Sequence, residues 1–150
     1  MAGSSLAAGA LAETPAQPVQ IGDPPPGKAL IVFYRTWKWP AGAVSYKVRE
    51  GKTELGRLSD GSYFVAVVDP GLHTYAMHAE WRDDMQIMVE ADEIYYVRFE
   101  LETGLFLYQP TLTPSEQRLF DEASPRLKLS EPLTPMDVAH TPAPVAPRAP

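Results

Sequence analysis

The sequence contains no cysteine among its 150 residues. This absence excludes a scaffold held by disulfide bonds, a zinc site built from thiolates, a cysteine nucleophile and a lipid anchor on an N-terminal cysteine. Long hydrophobic runs are lacking as well, because the uncharged stretch at residues 1–12 is too short to cross a membrane. The formal net charge is -6 and no block of basic residues is present, so we expect no nucleic-acid-binding surface.

Proline is scarce in the middle of the chain and abundant at both ends. Of its 16 prolines only Pro40 and Pro70 lie within residues 28–109, whereas fourteen of the fifteen aromatic residues lie within residues 33–108. Proline fixes φ and removes a backbone donor, and a segment with few large apolar side chains cannot offset the entropy of ordering. The contrast predicts a leader with an extended, unpacked proline-rich linker, one folded domain and a disordered proline-rich tail, which are residues 1–27, 28–124 and 125–150.

Within the domain the hydrophobic period is two. Apolar and polar residues alternate along four segments, and two further runs are apolar on both faces, as in central strands. This pattern predicts an all-β fold, an antiparallel β-sandwich of seven to eight strands that is immunoglobulin-like or transthyretin-like. The alternating segments are 44–49, 74–81, 86–90 and 95–102, and the apolar runs are 29–34 and 63–68.

Two turns and one helix are also predicted. Asp60-Gly61 favours a tight hairpin, and Pro70-Gly71 suits the central positions of a type II turn. Thr113-Pro114-Ser115-Glu116 matches a capping box with proline at the first helical position, so it predicts a short helix that begins there and covers one end of the sandwich. The apolar stripe of this helix would consist of Leu119, Phe120 and Ala123.

The N-terminal residues resemble the second half of a secretory signal peptide. Ala10-Leu11-Ala12 fits the small-x-small cleavage rule and makes Glu13 the first mature residue. A basic n-region is missing, which a start codon placed too far downstream would explain; the alternative interpretation is a disordered alanine-rich leader. We expect a periplasmic or extracellular protein of the bacterial envelope, and a cytoplasmic one if the leader is not a signal remnant.

Six short motifs occur in order along the domain. They are Pro24–Arg35, Val44-Ser45-Tyr46, Gly56-Arg57-Leu58, Gly61-Ser62-Tyr63-Phe64, Pro70-Gly71-Leu72-His73-Thr74 and Tyr95-Tyr96-Val97-Arg98. Together they resemble a bacterial family known only as domain of unknown function 2846, whose members are mostly secreted or lipoprotein-like, over residues 24–110. The element formed by Tyr63-Phe64 and the following Pro70-Gly71-Leu72-His73 is also similar to β-sandwich modules of the carboxypeptidase-regulatory and PEGA kind, which are accessory domains rather than catalysts. The resemblance implies no established activity.

This sequence departs from the family pattern at two places. Asp92 stands where the family usually has a turn glycine, and we expect the turn to persist because aspartate tolerates positive φ. No cysteine precedes the domain, so the lipid anchor of some relatives is not implied here.

The side chains that catalysis needs form no recognisable set. A Gly-x-Ser-x-Gly elbow, a Ser-x-x-Lys motif and a glycine-rich phosphate loop are all absent from the sequence. Asp83-Asp84 and Asp92-Glu93 are paired carboxylates of the kind a glycoside hydrolase uses, but both lie at predicted turns, where acidic residues are common. We expect no enzyme activity and no cofactor.

The histidines do not predict a metal site. His73 and His78 are five residues apart on one predicted strand, so their side chains would point to opposite faces. His78 shares a face with Glu80, which gives two ligands at best. His73 follows the Pro70-Gly71 turn, and we expect it to hydrogen-bond across that turn.

Charge is divided between two parts of the domain. Between Lys28 and Arg57 seven basic residues face two acidic ones, a balance of 7 - 2 = +5, and between Glu80 and Glu102 the balance is 2 - 8 = -6. If these parts occupy different edges or sheets, the domain has a basic and an acidic side, which favours head-to-tail contacts or steering of a charged partner. The alternative is that edge strands carry charge to avoid aggregation.

Aromatic residues are the candidate binding residues. Trp37 and Trp39 would share a face if their strand continued through Lys38, and Trp81 ends another strand. Tryptophan at strand ends can form a platform for a sugar ring or an apolar side chain, and the alternative is that one or two cap the core. Tyr96 beside Arg98 on an outward face is a weaker signal of the same kind.

Taken together, these patterns predict a non-catalytic envelope domain that acts as a structural or protein-interaction module, including as a subunit of a larger assembly. Its proline-rich tail is a candidate for binding a protein partner, because a polyproline II segment is ordered before it binds. The alternative is a carbohydrate- or peptidoglycan-binding module that uses the tryptophans. We expect no membrane-spanning segment, no nucleic-acid partner and no metal.

Overall fold

The computed structural model describes residues 17–37, 44–77, 84–103 and 108–130, and the structural statements below concern these residues. They form nine β-strands, one α-helix and one short 3₁₀ helix. In chain order the elements are β1 Ala29–Arg35, β2 Tyr46–Glu50, β3 Thr53–Leu58, β4 Ser62–Val68, β5 Gly71–Met77, β6 Met85–Val89, β7 Ile94–Thr103, β8 Tyr108–Ser115, α1 Gln117–Ala123, the 3₁₀ helix Ser124–Arg126 and β9 Lys128–Leu129.

The strands form two packed sheets. Sheet 1 has five strands in the order β8-β7-β1-β4-β9, and sheet 2 has four strands in the order β3-β2-β5-β6. Sheet 2 is antiparallel, but in sheet 1 β1 runs parallel to β7 and β4 runs parallel to β9. The prediction of a wholly antiparallel sandwich is therefore wrong for sheet 1. The turn signals that predicted antiparallel pairs act only between strands adjacent in sequence, and β1 and β7 are far apart along the chain.

The main core lies between the two sheets. Every residue of β1 is buried, and β1 lies between β4 and β7, so the prediction that this apolar run is a central strand is confirmed. The Phe33 ring stacks on Phe64 at 5.0 Å between centroids and meets the edge of Tyr75 at 5.1 Å. Gly56 makes this packing possible, because a Cβ there would lie 2.7 Å from the Phe64 ring.

A second apolar cluster covers the outer face of sheet 1. Phe120 of α1 is fully buried against three tyrosines of this sheet, and an extended N-terminal segment contributes Val19 and Ile21. The Val19 amide donates a hydrogen bond of 2.9 Å to Ser124 Oγ, which ties this segment to the end of α1. The sheet residues and flanking residues of the cluster include Val32, Tyr34, Tyr63, Tyr96 and Leu127.

Both flanks of the predicted domain therefore contribute packed residues. The linker was predicted to be extended and unpacked; it forms no regular element over residues 17–25, but its apolar side chains pack on sheet 1. On the other flank Leu127 is buried, and β9 pairs with the first residues of β4. A few apolar side chains and one edge pairing are enough to order these short segments despite their prolines. Residues 1–16 and 131–150 lie outside the described residues.

The predicted helix exists but begins later and packs elsewhere. Thr113 and Pro114 belong to β8, where they pair with Arg98 and Val97, and the N-cap is Glu116, which makes no side-chain capping bond. The prediction of a capping box is wrong, because pairing with β7 outweighs the local helix signal. The helix also covers the outer face of sheet 1 rather than an end of the sandwich.

The predictions for the turns at Asp60-Gly61 and at Asp92 have different outcomes. Asp60-Gly61 does not close a hairpin: it joins β3 of sheet 2 to β4 of sheet 1, with Gly61 at a φ of 64°. Local turn residues do not reveal whether the chain changes sheet. Asp92 adopts a φ of 65°, so the expectation that aspartate keeps the family's turn is confirmed. Its Oδ1 accepts a hydrogen bond of 3.1 Å from the Gly27 amide.

Candidate interaction surface

The outer face of sheet 2 carries an exposed apolar pair. Leu72 on β5 and Met88 on β6 are cross-strand partners, and 58% and 62% of their surfaces are exposed. Met88 faces away from the core, because its neighbours in sequence, Ile87 and Val89, pack inward, and Leu72 shares its face as its cross-strand partner. Among the described residues, none covers this pair as Phe120 covers sheet 1. We call these two residues the Leu72–Met88 patch.

At the opposite edge the same sheet carries a network of ion pairs. Glu54 on β3 accepts hydrogen bonds from Lys47 at 2.8 Å and from Arg49 at 2.9 Å, both on β2. The hydrogen bond from Lys47, with the charges of Lys47 and Arg49, holds the pKa of Glu54 below its usual value. Cross-strand charge pairs of this kind lie at the margin of the sheet, where they protect an edge from aggregation.

Two further acidic residues of sheet 2 lie at its other edge. Asp84 and Glu90 immediately flank β6 and are exposed, whereas Lys47 and Arg49 lie on β2, next to the edge strand β3. The basic and acidic parts recognised in the sequence therefore occupy opposite edges of one sheet as far as β2, β3 and β6 are concerned. Other cations are paired locally with acidic residues outside this edge, as Lys28 is with Asp69 and Arg118 is with Glu122.

His73 connects two strands at one end of this sheet. Its Nε2 lies 2.6 Å from the Asp69 carbonyl oxygen, and its Nδ1 lies 2.6 Å from a carboxylate oxygen of Glu50 on β2. The predicted hydrogen bond across the turn is thus confirmed. Both partners are acceptors, so the imidazolium form, which carries two N–H donors, satisfies both contacts. Burial opposes the charge, but the bonds to Asp69 and Glu50 outweigh it and raise the pKa of His73.

A buried cation closes the other end of the sandwich. Arg35, at the end of β1, is 2% exposed; its Nη1 donates to the Val44 carbonyl at 2.6 Å and its Nε lies 3.7 Å from Asp60 Oδ1. The guanidinium carbon lies 4.9 Å from the centroid of the Phe99 ring, a cation–π contact. Burial lowers the pKa of Arg35, which stays charged because an arginine pKa lies far above neutrality.

Beside Arg35 lies a small cavity. Its volume is about 30 Å³, which is enough for one water molecule and too little for an organic ligand. The residues that line it are Arg35, Thr36, Arg98, Phe99, Glu100 and Leu101. The end of β1 therefore offers a surface rather than a pocket.

The structure describes three of the five predicted binding residues. Trp37 is 66% exposed, but β1 ends at Arg35, so the strand does not continue towards Trp39. Tyr96 is on the outer face of sheet 1 as expected, yet only 8% of it is exposed, because the Phe120 ring lies over it at 5.4 Å between centroids. Little of its ring is therefore accessible to a ligand. Arg98, one of the predicted binding residues, is partly exposed and lies 3.3 Å from Glu100.

Some predicted residues cannot be placed. Trp39, Trp81, His78 and Asp83 lie outside the described residues. Among the residues that are described, no group of three or more histidines and carboxylates is arranged to hold a metal ion. Within the same parts of the chain, no helix has the length and hydrophobicity that a membrane crossing requires.

The Leu72–Met88 patch was missed in the sequence, although a signal for it exists. Met88 occupies a position of β6 whose neighbours on the same face, Gln86 and Glu90, are polar, so an apolar side chain there is out of place. Leu72 lies two residues before Thr74 on the polar face of β5. The pairing of β5 with β6 is needed to bring the two together.

Comparison with known proteins identifies a family but no activity. A family model described as "Protein of unknown function (DUF2846)" matches residues 25–111, which is more than half of the chain, and the chain belongs to this family. No curated protein matches the chain, and no solved structure matches it.

Proposed function

We propose that this protein is a non-catalytic binding module of the bacterial envelope that holds a protein partner against the outer face of sheet 2. The observation that carries the proposal is the Leu72–Met88 patch, exposed on a face that the described chain leaves open. Single exposed apolar residues are ordinary, whereas an adjacent cross-strand pair is the kind of surface that a partner buries. Burying one such side chain contributes about 1.5–3 kcal/mol.

The location in the envelope is part of this proposal. It is supported by Ala10-Leu11-Ala12, which fits a signal-peptidase site. Fractionation of cells, with mass spectrometry of the mature N-terminus, tests it: a chain beginning at Glu13 in the periplasm supports export, and an intact Met1 in the cytoplasm contradicts it.

The finer fold assignment, immunoglobulin-like or transthyretin-like, is also proposed and is supported by the two packed sheets.

Site-specific photocrosslinking tests the binding face. A photoreactive amino acid is introduced in place of Leu72, of Met88 or, as a matched control, of Arg118, which is exposed on α1 on the other side of the sandwich. We expect adducts with the same protein from positions 72 and 88 and none from 118. Equal adducts from all three positions, or none from 72 and 88, would contradict the proposal.

The proline-rich tail requires a separate arm of the experiment. Because Leu127 and β9 pack on the domain, the chain should be shortened after Ser130 rather than before Pro125. If the tail binds the partner, deletion of residues 131–150 will remove that partner from a pull-down. An unchanged set of partners would reject the role of the tail and leave the role of sheet 2 standing.

A carbohydrate-binding module is the second candidate, favoured by the exposure of Trp37. An exposed indole at a strand end can stack on a sugar ring. Calorimetric titration with glycans and cell-wall fragments would then show binding to the unmodified protein and a loss of binding in Trp37→Ala. Absence of heat in the unmodified protein rejects this candidate.

A further inference from the structure

We propose that the partner docks by adding a β-strand to sheet 2 alongside β6, and that this strand carries a basic residue at each end of an uncharged core. The inference rests on the function proposed above and deepens it, since it names the edge and the chemistry of the partner segment. Strand addition of this kind supplies affinity through main-chain hydrogen bonds and specificity through alternate side chains.

The edges of sheet 1 are poorly suited to strand addition. Its edge strand β8 contains Pro110 and Pro114, which have no backbone N–H to donate. Its other edge strand, β9, has only two residues. Proline and shortness are two of the devices by which proteins prevent unwanted pairing of edge strands.

In sheet 2 only one of the two edges is protected in this way. On β3 the register with β2 shifts at Leu55, which has no Cα partner between the pairs Val48–Gly56 and Arg49–Glu54, and charged side chains occupy the strand. A bulge and charges both disfavour further pairing.

The edge strand β6 has none of these devices. It contains no proline, no charge and no register shift, and it pairs with β5 over five consecutive residues. Among the described residues nothing pairs with its other side. The side chains of Met85, Ile87 and Val89 pack inward, so an added strand with apolar residues opposite them would extend the core.

The flanks of β6 define the charge of the partner. Asp84 and Glu90 are exposed and lie one residue beyond the ends of β6, and continuing the alternation of the strand by one residue at each end places them on the face of Gln86 and Met88. A strand that pairs antiparallel with residues 84–90 places one residue opposite each carboxylate. Opposite charges in such cross-strand pairs stabilise a sheet and like charges destabilise it. The partner segment therefore has lysine or arginine at both positions, six residues apart.

The same charges disfavour a second copy of this chain as the occupant. Two β6 strands paired antiparallel about Ile87 would place Asp84 of each copy opposite Glu90 of the other. Two like-charge pairs would then face each other in one interface. The occupant favoured by the structure is a basic-flanked segment of another protein.

Two peptides that differ only at their ends test this inference on the full-length protein. The probe is Lys-Val-Leu-Val-Thr-Val-Lys, and the control has glutamate at both ends. Hydrogen exchange of the β6 amides reports pairing at this edge, and a titration gives the affinity. We expect the lysine-ended peptide to protect β6 and to bind roughly tenfold more tightly than the glutamate-ended one.

A charge-reversed variant makes the test specific. In Asp84→Lys/Glu90→Lys the preference should reverse towards the glutamate-ended peptide. The matched control, Glu116→Lys/Glu122→Lys, makes the same change in net charge at exposed positions on and beside α1, and it should keep the preference of the unmodified protein. Thermal unfolding of each variant verifies that the fold is retained.

Several results would overturn the inference. Equal affinity for the two peptides, protection at β3 instead of β6, or no binding of either peptide each rejects an added basic-flanked strand. Binding that appears only after deletion of residues 131–150 would make the chain's own tail the occupant, and a dimer of the unmodified protein paired through β6 would make it a second copy. If peptides fail while crosslinks from Met88 persist, only the added strand is rejected and the proposed binding face stands.

Discussion

The outer faces of the two sheets differ in whether other parts of the chain pack on them. Sheet 1 is covered by the protein itself, with Phe120 of α1 lying over three tyrosine rings at centroid distances of 5.3–5.8 Å. Sheet 2 exposes the Leu72–Met88 patch and a bare edge at β6 in the described part of the chain. One sandwich therefore has a face that is covered by intramolecular packing and a face on which an apolar pair stays exposed in the described part of the chain.

The covered outer face of sheet 1 forms a second hydrophobic core. Burial raises the pKa values of Tyr34, Tyr63 and Tyr96, so these tyrosines stay protonated throughout the physiological range. The Tyr34 hydroxyl keeps a partner, Ser115 Oγ, at 2.6 Å. Such packing contributes to folding, whereas exposed apolar groups on sheet 2 contribute only when something covers them.

The largest effect is expected from removing the cover of sheet 1. Phe120→Ala deletes a fully buried ring and should lower the free energy of unfolding by about 3–5 kcal/mol, measured by urea denaturation. Met88→Ala is the matched control on the open face and should change it by less than about 0.5 kcal/mol. A similar loss in the free energy of unfolding in the two variants would show that the outer faces of sheets 1 and 2 contribute equally to folding.

Much of the β-sheet framework was predictable, because strand burial leaves a local pattern. The run 29–34 is apolar at every position and forms the buried strand β1, and the alternation at 95–102 falls within β7. The Asp92 turn was predictable for a similar reason, since positive φ depends on a single residue type.

Non-local features were not predictable in the same way. Parallel pairing of β1 with β7 joins distant parts of the chain, and β8 was hidden because Pro110 and Pro114 are unfavourable in central strands but acceptable at an edge. The burial of Tyr96 was not predictable either, because alternation reports which face of a strand a residue is on, and not what packs on that face.

Sheet 2 contains a contact of a titratable side chain, and the stability that this contact contributes gives a second prediction. His73 is held by Glu50 and the Asp69 carbonyl, and its pKa is raised above 6.5 in the folded protein. The stabilisation is therefore fully present below the unfolded pKa and is lost as the pH rises through the higher folded pKa. In His73→Gln the free energy of unfolding should fall by about 2 kcal/mol near pH 6, and the difference from the unmodified protein should shrink as the pH rises above the unfolded pKa of about 6.5.

Denaturant unfolding across this pH range provides the measurement. Glu50→Gln removes the negative charge of one partner while keeping an amide oxygen that can accept, and it should also reduce the pH dependence. Phe120→Ala should not alter it, because that ring lies on the other side of the sandwich. A loss in His73→Gln that is the same at every pH would mean that the contact does not depend on the protonation of His73.

The smallest expected effect is on the association of two copies of the chain through the edge strand β6. Antiparallel pairing of two β6 strands about Ile87 places Asp84 opposite Glu90 twice, so Glu90→Lys converts two repulsive pairs into two attractive ones. Association of two copies should strengthen by about 1.4 kcal/mol, a roughly tenfold change, measured by sedimentation equilibrium. Glu116→Lys makes the same charge change beside α1 and should leave association unchanged. Adding Met88→Pro, which removes a backbone donor from β6, should abolish the gain if the dimer forms at this edge. If Glu90→Lys and Glu116→Lys associate equally, net charge rather than the flanks of β6 controls the contact, and the edge has no charge preference for a strand.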